Sequence, residues 1–162
     1  MHEQVVIGIG NELRGDDAAG LQVARLLRGV LPPEVPVVEN GGDPAELIEA
    51  WTGAGLAIVI DTVLSGAPPG TVRRCTVLGP AASSRGAHQT APALRHGSSH
   101  ALGIADAVAL GRILRRLPRE LALYTVEGAD FGLGAPVTPA VKHAVGKLAE
   151  TVADLVRPER AR

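Results

Sequence analysis

Three places in the 162-residue sequence hold side chains able to do chemistry: the paired carboxylates Asp16 and Asp17, the lone carboxylate Asp61, and a set of histidines led by His100. Carboxylate oxygen and imidazole nitrogen together suit a divalent first-row metal, and a carboxylate also serves as a general base. Asp61 closes the run Leu56-Ala57-Ile58-Val59-Ile60, so it stands at the carboxyl end of a segment that reads as a buried strand. An isolated buried carboxylate is costly, so Asp61 must be paired, hydrogen-bonded or ligating. The plainer alternative is a loop cap, in which Asp61 accepts from the Thr62 and Val63 amides. Asp16 and Asp17 follow a Gly-Asn turn and open a helix, where acidic residues are ordinary caps. With two of them, one is expected to cap and the other to face a cleft. His100 follows Gly97-Ser98-Ser99 at the start of another helix. His88 and His96 compete with it, whereas His2 and His143 are peripheral.

Several other chemistries are excluded. Gly8-Ile9-Gly10, with Glu39 closing the next strand, invites a dinucleotide reading, but Leu13 stands at the third glycine position. Asp16 and Asp17 would also repel a pyrophosphate placed at that helix end. No GxSxG elbow and no HExxH spacing occur, and the one cysteine, Cys75, sits in the middle of a strand-like run. There it is expected to behave as a small apolar side chain, and it leaves no disulfide or CxxC site.

The elements that must position these residues alternate from end to end. Gln4 to Ile9 reads as a first buried strand, Asp16 to Val30 as a helix with Leu21, Ala24, Leu27 and Leu31 near one face, and Val35 to Glu39 as a second strand. Asp43-Pro44-Ala45-Glu46 predicts a helix start, with Asp43 as cap, Pro44 in the first turn and Glu46 completing a capping box. Leu56 to Val63 and Thr71 to Leu78 are strands three and four. Gly79 to His96 lacks a period and reads as a long surface loop. His100 or its neighbours open a helix reaching Leu117, Glu120 to Glu127 is a fifth strand, and Gly128 to Pro136 a second loop. Thr138-Pro139 caps a last helix with a stripe of Val141, Val145, Leu148, Val152 and Leu155.

This order predicts an α/β fold: a three-layer α/β/α sandwich on a five-stranded, mostly parallel sheet, with residues 1–162 as a single domain. Ligands bind such sheets beyond the carboxyl ends of the strands, where successive crossovers go to opposite faces. Strands one and three should be neighbours there, which brings the Asp16-Asp17 turn beside Asp61.

Composition narrows the partners. Hydrophobic residues make up 46% and aromatics 2%, so the core is aliphatic and no stacking platform for single-stranded nucleic acid exists. A net charge of −1, with 16 basic and 17 acidic residues interspersed, gives no stripe for phosphates. No apolar run approaches membrane-spanning length and no signal segment is evident, so a cytoplasmic location is expected.

The residues around these candidates are similar to a known family. Gly8-Ile9-Gly10-Asn11-Glu12-Leu13-Arg14-Gly15-Asp16-Asp17-Ala18-Ala19-Gly20 resembles the opening GxGNxLxxDDxxG signature of the hydrogenase maturation proteases. Gly41-Gly42, Ile60-Asp61-Thr62-Val63, Pro68-Pro69-Gly70-Thr71, Ser99-His100-Ala101-Leu102-Gly103, Val126-Glu127-Gly128 and Thr138-Pro139-Ala140-Val141 follow in the family's order. The resemblance implies an endopeptidase that removes the C-terminal extension of a [NiFe]-hydrogenase large-subunit precursor after nickel insertion. It implies that Asp17, Asp61 and His100 are the metal-binding and catalytic positions. These recognise nickel in the substrate with no resident cofactor, although other divalent metals can occupy such a site. It also implies a five-stranded mixed sheet.

Two positions depart from the family's pattern. The residue before the paired glycines is often acidic there and is Asn40 here, which can be neither base nor anionic ligand. Asp17 is one methylene shorter than the Glu found in some members and should draw a metal toward the helix end. Two other readings stand beside this one: a metal-centre checkpoint or chaperone that uses the same three ligands without cleaving, and a small-molecule hydrolase or nucleotide-binding domain on a similar sandwich.

Overall fold

The computed structural model describes residues 2–80 and 99–156, with the backbone alone described at 99–102. The predicted loop through His96, with His88 and His96 themselves, falls from residue 81 onward outside the described residues. So does the arginine-rich tail at 157–162.

The strands are β1 (Gln4–Ile9), β2 (Val37–Asn40), β3 (Leu56–Val63), β4 (Val72–Leu78) and β5 (Glu120–Glu127), and the helices are α1 (Ala19–Arg28), α2 (Pro44–Trp51), α3 (Ser99–Leu114) and α4 (Pro139–Val156). They form one five-stranded sheet in the order β2-β1-β3-β5-β4. β1, β2, β3 and β5 are parallel and β4 runs antiparallel on the edge. The mixed, mostly parallel sheet matches the expectation.

The side-chain alternation of the strands sorts the core into two layers. Val6, Ile58, Ile60, Ala122, Tyr124 and Val126 pack with α1 and α4. Val5, Ile7, Ile9, Val59, Leu121 and Leu123 pack with α2 and α3, around the fully buried Trp51. α1 and α2 therefore lie on opposite faces, and β1 and β3 are the neighbours at the switch point.

Several boundaries differ from the sequence reading, each for a local reason. The first helix opens as a 3-10 turn, Gly15–Ala18, before α1, because Gly15 adopts φ +55 with its Cα pressed against the Asp130 carbonyl. β2 begins after Pro36, whose nitrogen has no hydrogen for the ladder, and runs one residue further, to Asn40. α3 stops at Leu114, not Leu117: Arg115 turns left-handed at φ 56 and the Arg116 amide bonds back to the Gly111 carbonyl at 2.8 Å. On α4 the buried stripe continues through Val156 and leaves Leu155 44% exposed, because the stripe takes a step of four after Val152. Asp43 does cap α2, accepting from Ala45 and Glu46 amides at 2.9 and 3.1 Å, but among the described residues Glu46 makes no return bond. No helix of the described residues is long and apolar enough to cross a membrane.

Candidate functional site

Glycines assemble the switch point. A Cβ on Gly20 would lie 2.2 Å from the Ile9 carbonyl oxygen and 2.6 Å from that of Ile60. The first turn of α1 thus rests directly on the ends of β1 and β3. A Cβ on Gly8 would meet the Gly20 carbonyl at 2.2 Å, and one on Gly10 the Asp17 carbonyl at 2.1 Å. All three values are far inside van der Waals contact, so only glycine permits this approach. Gly8 and Gly10 are there for helix packing and not for a phosphate. One turn before Gly20, Asp17 is held against Gly10, just past the strand ends where Asp61 emerges.

Both adjacent aspartates are buried. Asp16 is 0% exposed, and its carboxylate accepts from the amides of Ala129 (2.8 Å), Asp130 (3.0 Å) and Thr138 (2.7 Å) and from the Thr138 hydroxyl (2.9 Å). Its amide donates to the Asp130 carbonyl at 2.8 Å, and its carbonyl accepts from the Thr62 hydroxyl at 3.1 Å. Burial pushes its pKa up, but the bonds from Thr138, Asp130 and Ala129 outweigh burial and hold the carboxyl below its ordinary value. Asp16 is therefore a clamp that fastens the 128–138 loop to the turn carrying Asp17. This engages the Thr138 hydroxyl with Asp16, so Thr138 opens α4 through its carbonyl, which accepts from the Lys142 amide at 2.9 Å.

Asp61 is 2% exposed, and its Oδ1 accepts from the Thr62 amide at 2.8 Å, one of the two bonds of the loop-cap alternative. It stands in register with Thr125 of β5. Val59 and Leu123, two residues earlier on each strand, belong to the layer under α2 and α3, so Asp61 and Thr125 share that side. Asn40, 5% exposed and in register with Ile9, ends β2 on the same side. Its Oδ1 accepts from the Gly42 amide at 2.6 Å and its carbonyl from Gly10, so Asn40 fixes the Gly41-Gly42 turn at the rim.

His100 begins α3 on that side. A Cβ on Gly103 would lie 2.2 Å from the Gly42 carbonyl, so the first turn of α3 is seated against the loop after β2. The backbone at His100 is thereby delivered to the carboxyl edge shared by Asp61 and Asp17; its side chain lies outside the description. Among the described residues no three His, Cys, Asp or Glu side chains gather as a metal-holding group.

Sequence reasoning overlooked a second buried carboxylate, Glu127, as an individual residue. It too closes a central strand, yet its oxygens accept from the Ser65 amide (2.7 Å), the Gly66 amide (3.0 Å) and the Ser65 hydroxyl (2.7 Å). It secures the loop after β3. Its place at a strand end was legible; the loop that curls over it was not. Toward the β2 edge, exposed Arg25 bridges Glu12 at 3.0 Å and Glu39 at 2.9 Å, tying the turn after β1 to β2. Cys75 is half-buried, and burial pushes its thiol pKa up, which disfavours the nucleophilic thiolate.

A mostly parallel sandwich with two carboxylates brought to its switch point defines an α/β protein with a polar site at the carboxyl edge. The sequence profile of the hydrogenase maturation proteases matches residues 21–155, a span that contains Asp61 and His100. A hydrogenase expression/formation protein of Azotobacter chroococcum mcd 1, HupM, is 31% identical over 90% of this chain and 71% of its own length. The hydrogenase 2 maturation protease of Escherichia coli K12 is 27% identical over 94% of this chain and 90% of its own. The structure of the hydrogenase-maturating endopeptidase HybD from Escherichia coli superposes with a TM-score of 0.78 over 97% of this chain and 93% of that one, at 24% identity. The chain belongs to the hydrogenase maturation protease family and is an enzyme of the endopeptidase class.

Proposed function

We propose that this protein removes the C-terminal extension of a [NiFe]-hydrogenase large-subunit precursor after nickel insertion, with Asp17, Asp61 and His100 recognising the metal of the substrate. The observation that carries this reading is the glycine packing at the switch point. A Cβ on Gly10 would lie 2.1 Å from the Asp17 carbonyl and one on Gly20 2.6 Å from the Ile60 carbonyl, so the turn carrying Asp17 is pressed onto the strand ends beside the residue that precedes Asp61. The Gly103–Gly42 contact supports His100 as the third group. Two carboxylates and an imidazole on three separate elements form a donor set for a divalent ion presented from outside. They leave coordination to be completed by the substrate, so a precursor without its metal docks incompletely. Once docked, a metal-polarised carbonyl or metal-activated water at the cleft would drive hydrolysis of the adjacent peptide bond. The proposal takes residues 1–162 as one domain and places the chain in the cytoplasm, which fits its single cysteine.

Incubation with nickel-loaded and nickel-free precursor, read by mass spectrometry, tests the proposal. Loss of a C-terminal peptide from the loaded form alone is expected, and Asp17→Ala, Asp61→Ala and His100→Ala should abolish it. Tight binding without any mass loss would favour the checkpoint reading.

A further inference from the structure

β4 runs antiparallel to β5, so its first residues stand at the carboxyl edge of the sheet. The turn before them, Pro68-Pro69-Gly70-Thr71, fixes their backbone. The Thr71 amide and hydroxyl both donate to the Pro68 carbonyl, at 3.1 and 2.6 Å. The Gly70 amide donates to the Glu127 carbonyl and the Glu127 amide to the Thr71 carbonyl, each at 2.8 Å. Gly70 adopts φ +84, and a Cβ there would lie 2.7 Å from the Ala140 carbonyl oxygen, so the turn is also packed on the start of α4.

Register sets which way the two arginines of β4 face. Arg73 is paired with Thr125, and Arg74 with Tyr124. Arg74 lies over the Tyr124 ring, 5.9 Å from its centroid, on the side of α1 and α4. Arg73 therefore takes the opposite side, with Thr125 and, one strand further in, Asp61. These three residues form one row across β3, β5 and β4. Asp61 and Thr125 are buried, whereas Arg73 is exposed, and among the described residues its guanidinium makes no hydrogen bond or ion pair. Two strand spacings, about 10 Å, separate its backbone from that of Asp61, the length of about three residues of extended chain.

We propose that Arg73 is a substrate-binding residue that holds acceptor oxygens of the precursor chain about three residues from the scissile bond. The inference rests on the reading of the chain as a protease of that precursor, and it adds a contact independent of the metal. A guanidinium suits the task, because its planar fork of N–H donors takes two oxygens at once, from a carboxylate or from peptide carbonyls. The hydrogen-bonded turn fixes the strand that carries it, so little backbone freedom is lost on binding. Repelling stray strands is the ordinary use of a charge on an edge strand, and that use predicts no effect on the substrate.

Steady-state cleavage of nickel-loaded precursor by Arg73→Gln and Arg73→Lys tests the contact, with Arg74→Gln as the control on the other face. Arg73→Gln should raise KM about tenfold, equivalent to about 1.4 kcal/mol at 25 °C, with kcat held within about twofold and the unfolding midpoint unchanged. Arg73→Lys should recover part of the loss, since it restores the charge without the fork. A gap between wild type and Arg73→Gln that closes as salt is added identifies a substrate carboxylate, and a gap that salt leaves alone identifies peptide carbonyls. Wild-type KM in Arg73→Gln, with self-association in sedimentation or without it, overturns the contact and leaves the protease reading standing. An equal rise in KM for Arg74→Gln overturns it as well, because the effect then follows the charge of the edge and not the row. Absence of cleavage by the wild-type protein overturns the protease reading, and this contact with it.

Discussion

Replacing Asp16 by Asn is the most informative perturbation of the acidic pair, because it keeps the shape and removes the charge and one acceptor. Oδ1 receives the Thr138 amide, and Oδ2 receives those of Ala129 and Asp130. An Asn keeps only one oxygen. Its best rotamer retains the two amides at Oδ2 and turns its NH2 toward the Thr138 amide, donor against donor. A hydrogen bond to a charged group contributes about 1.5–3 kcal/mol and a neutral one about 0.5–1.5, so two weakened bonds lose about 2 kcal/mol in all. The abandoned Thr138 amide adds about 1–3 kcal/mol, and relief of carboxylate desolvation returns part of it. A net loss of roughly 2–4 kcal/mol follows, a midpoint shift of roughly 5–15 °C for a chain of this size. Asp17→Asn should lose less stability yet abolish processing. The assay pairs thermal unfolding with cleavage of loaded precursor at a temperature where both variants are folded. If Asp16→Asn unfolded like wild type and failed to cleave, the clamp and ligand roles would be exchanged and the site wrongly assigned.

Other perturbations read different contacts. Asp16 has its folded-state pKa lowered, so its contribution to stability is full above its ordinary value of 3.8 and is lost as pH falls through the folded-state value. Stability of the wild type should therefore fall more steeply with acid below about pH 4 than that of Asp16→Asn, as measured by urea midpoints across that range. Gly20→Ala places a methyl 2.2 Å from the Ile9 carbonyl, which should destabilise by about 2–4 kcal/mol and be visible in chemical denaturation. Gly103→Ala meets the Gly42 carbonyl at the same distance and should lift the first turn of α3 from the rim. Its processing rate should drop more than tenfold, with nickel titration showing weaker binding. Asn40→Asp keeps the acceptor for the Gly42 amide, so its unfolding midpoint should stay within about 1 kcal/mol of wild type. A change in cleavage rate there would report on the acidic residue common in the family.

The fold was legible because its signals are local and repeated. Alternating apolar strands and striped helices announce the five strands and four α-helices of the described residues, and the Gly8–Gly20 segment with Asp61 marks the switch point. What could not be read is where the chain folds back on itself. Asp16 and Asp17 are indistinguishable as neighbours in a helix start; the anchoring of Asp16 comes from the 128–138 loop, more than a hundred residues away. Thr138 read as an ordinary helix cap, and its hydroxyl turns out to complete that same clamp. Helix ends slipped where backbone geometry overrode the pattern, as with Arg115 in the left-handed region.

Asp61 and Glu127 sharpen the point. Both are carboxylates near the carboxyl ends of central parallel strands, Asp61 two residues before the end of β3 and Glu127 at the end of β5; both are 2% exposed, and burial alone assigns them the same role. The lengths of the following loops and where those loops return separate them. After β3 the chain turns at once through Ser65 and Gly66, at φ +89, and drapes two amides and a hydroxyl over the Glu127 carboxylate. A carboxylate wrapped in that way has no open face for a ligand. Asp61 has its own Thr62 amide on Oδ1, and it lies between two approaching helix starts, the Asp17 turn on one side of the sheet and the first turn of α3 on the other. Backbone glycines press both starts onto the strand ends or the loop beside them. A strand-end carboxylate in this fold is therefore a candidate ligand when helices converge on it and a structural anchor when a loop closes over it.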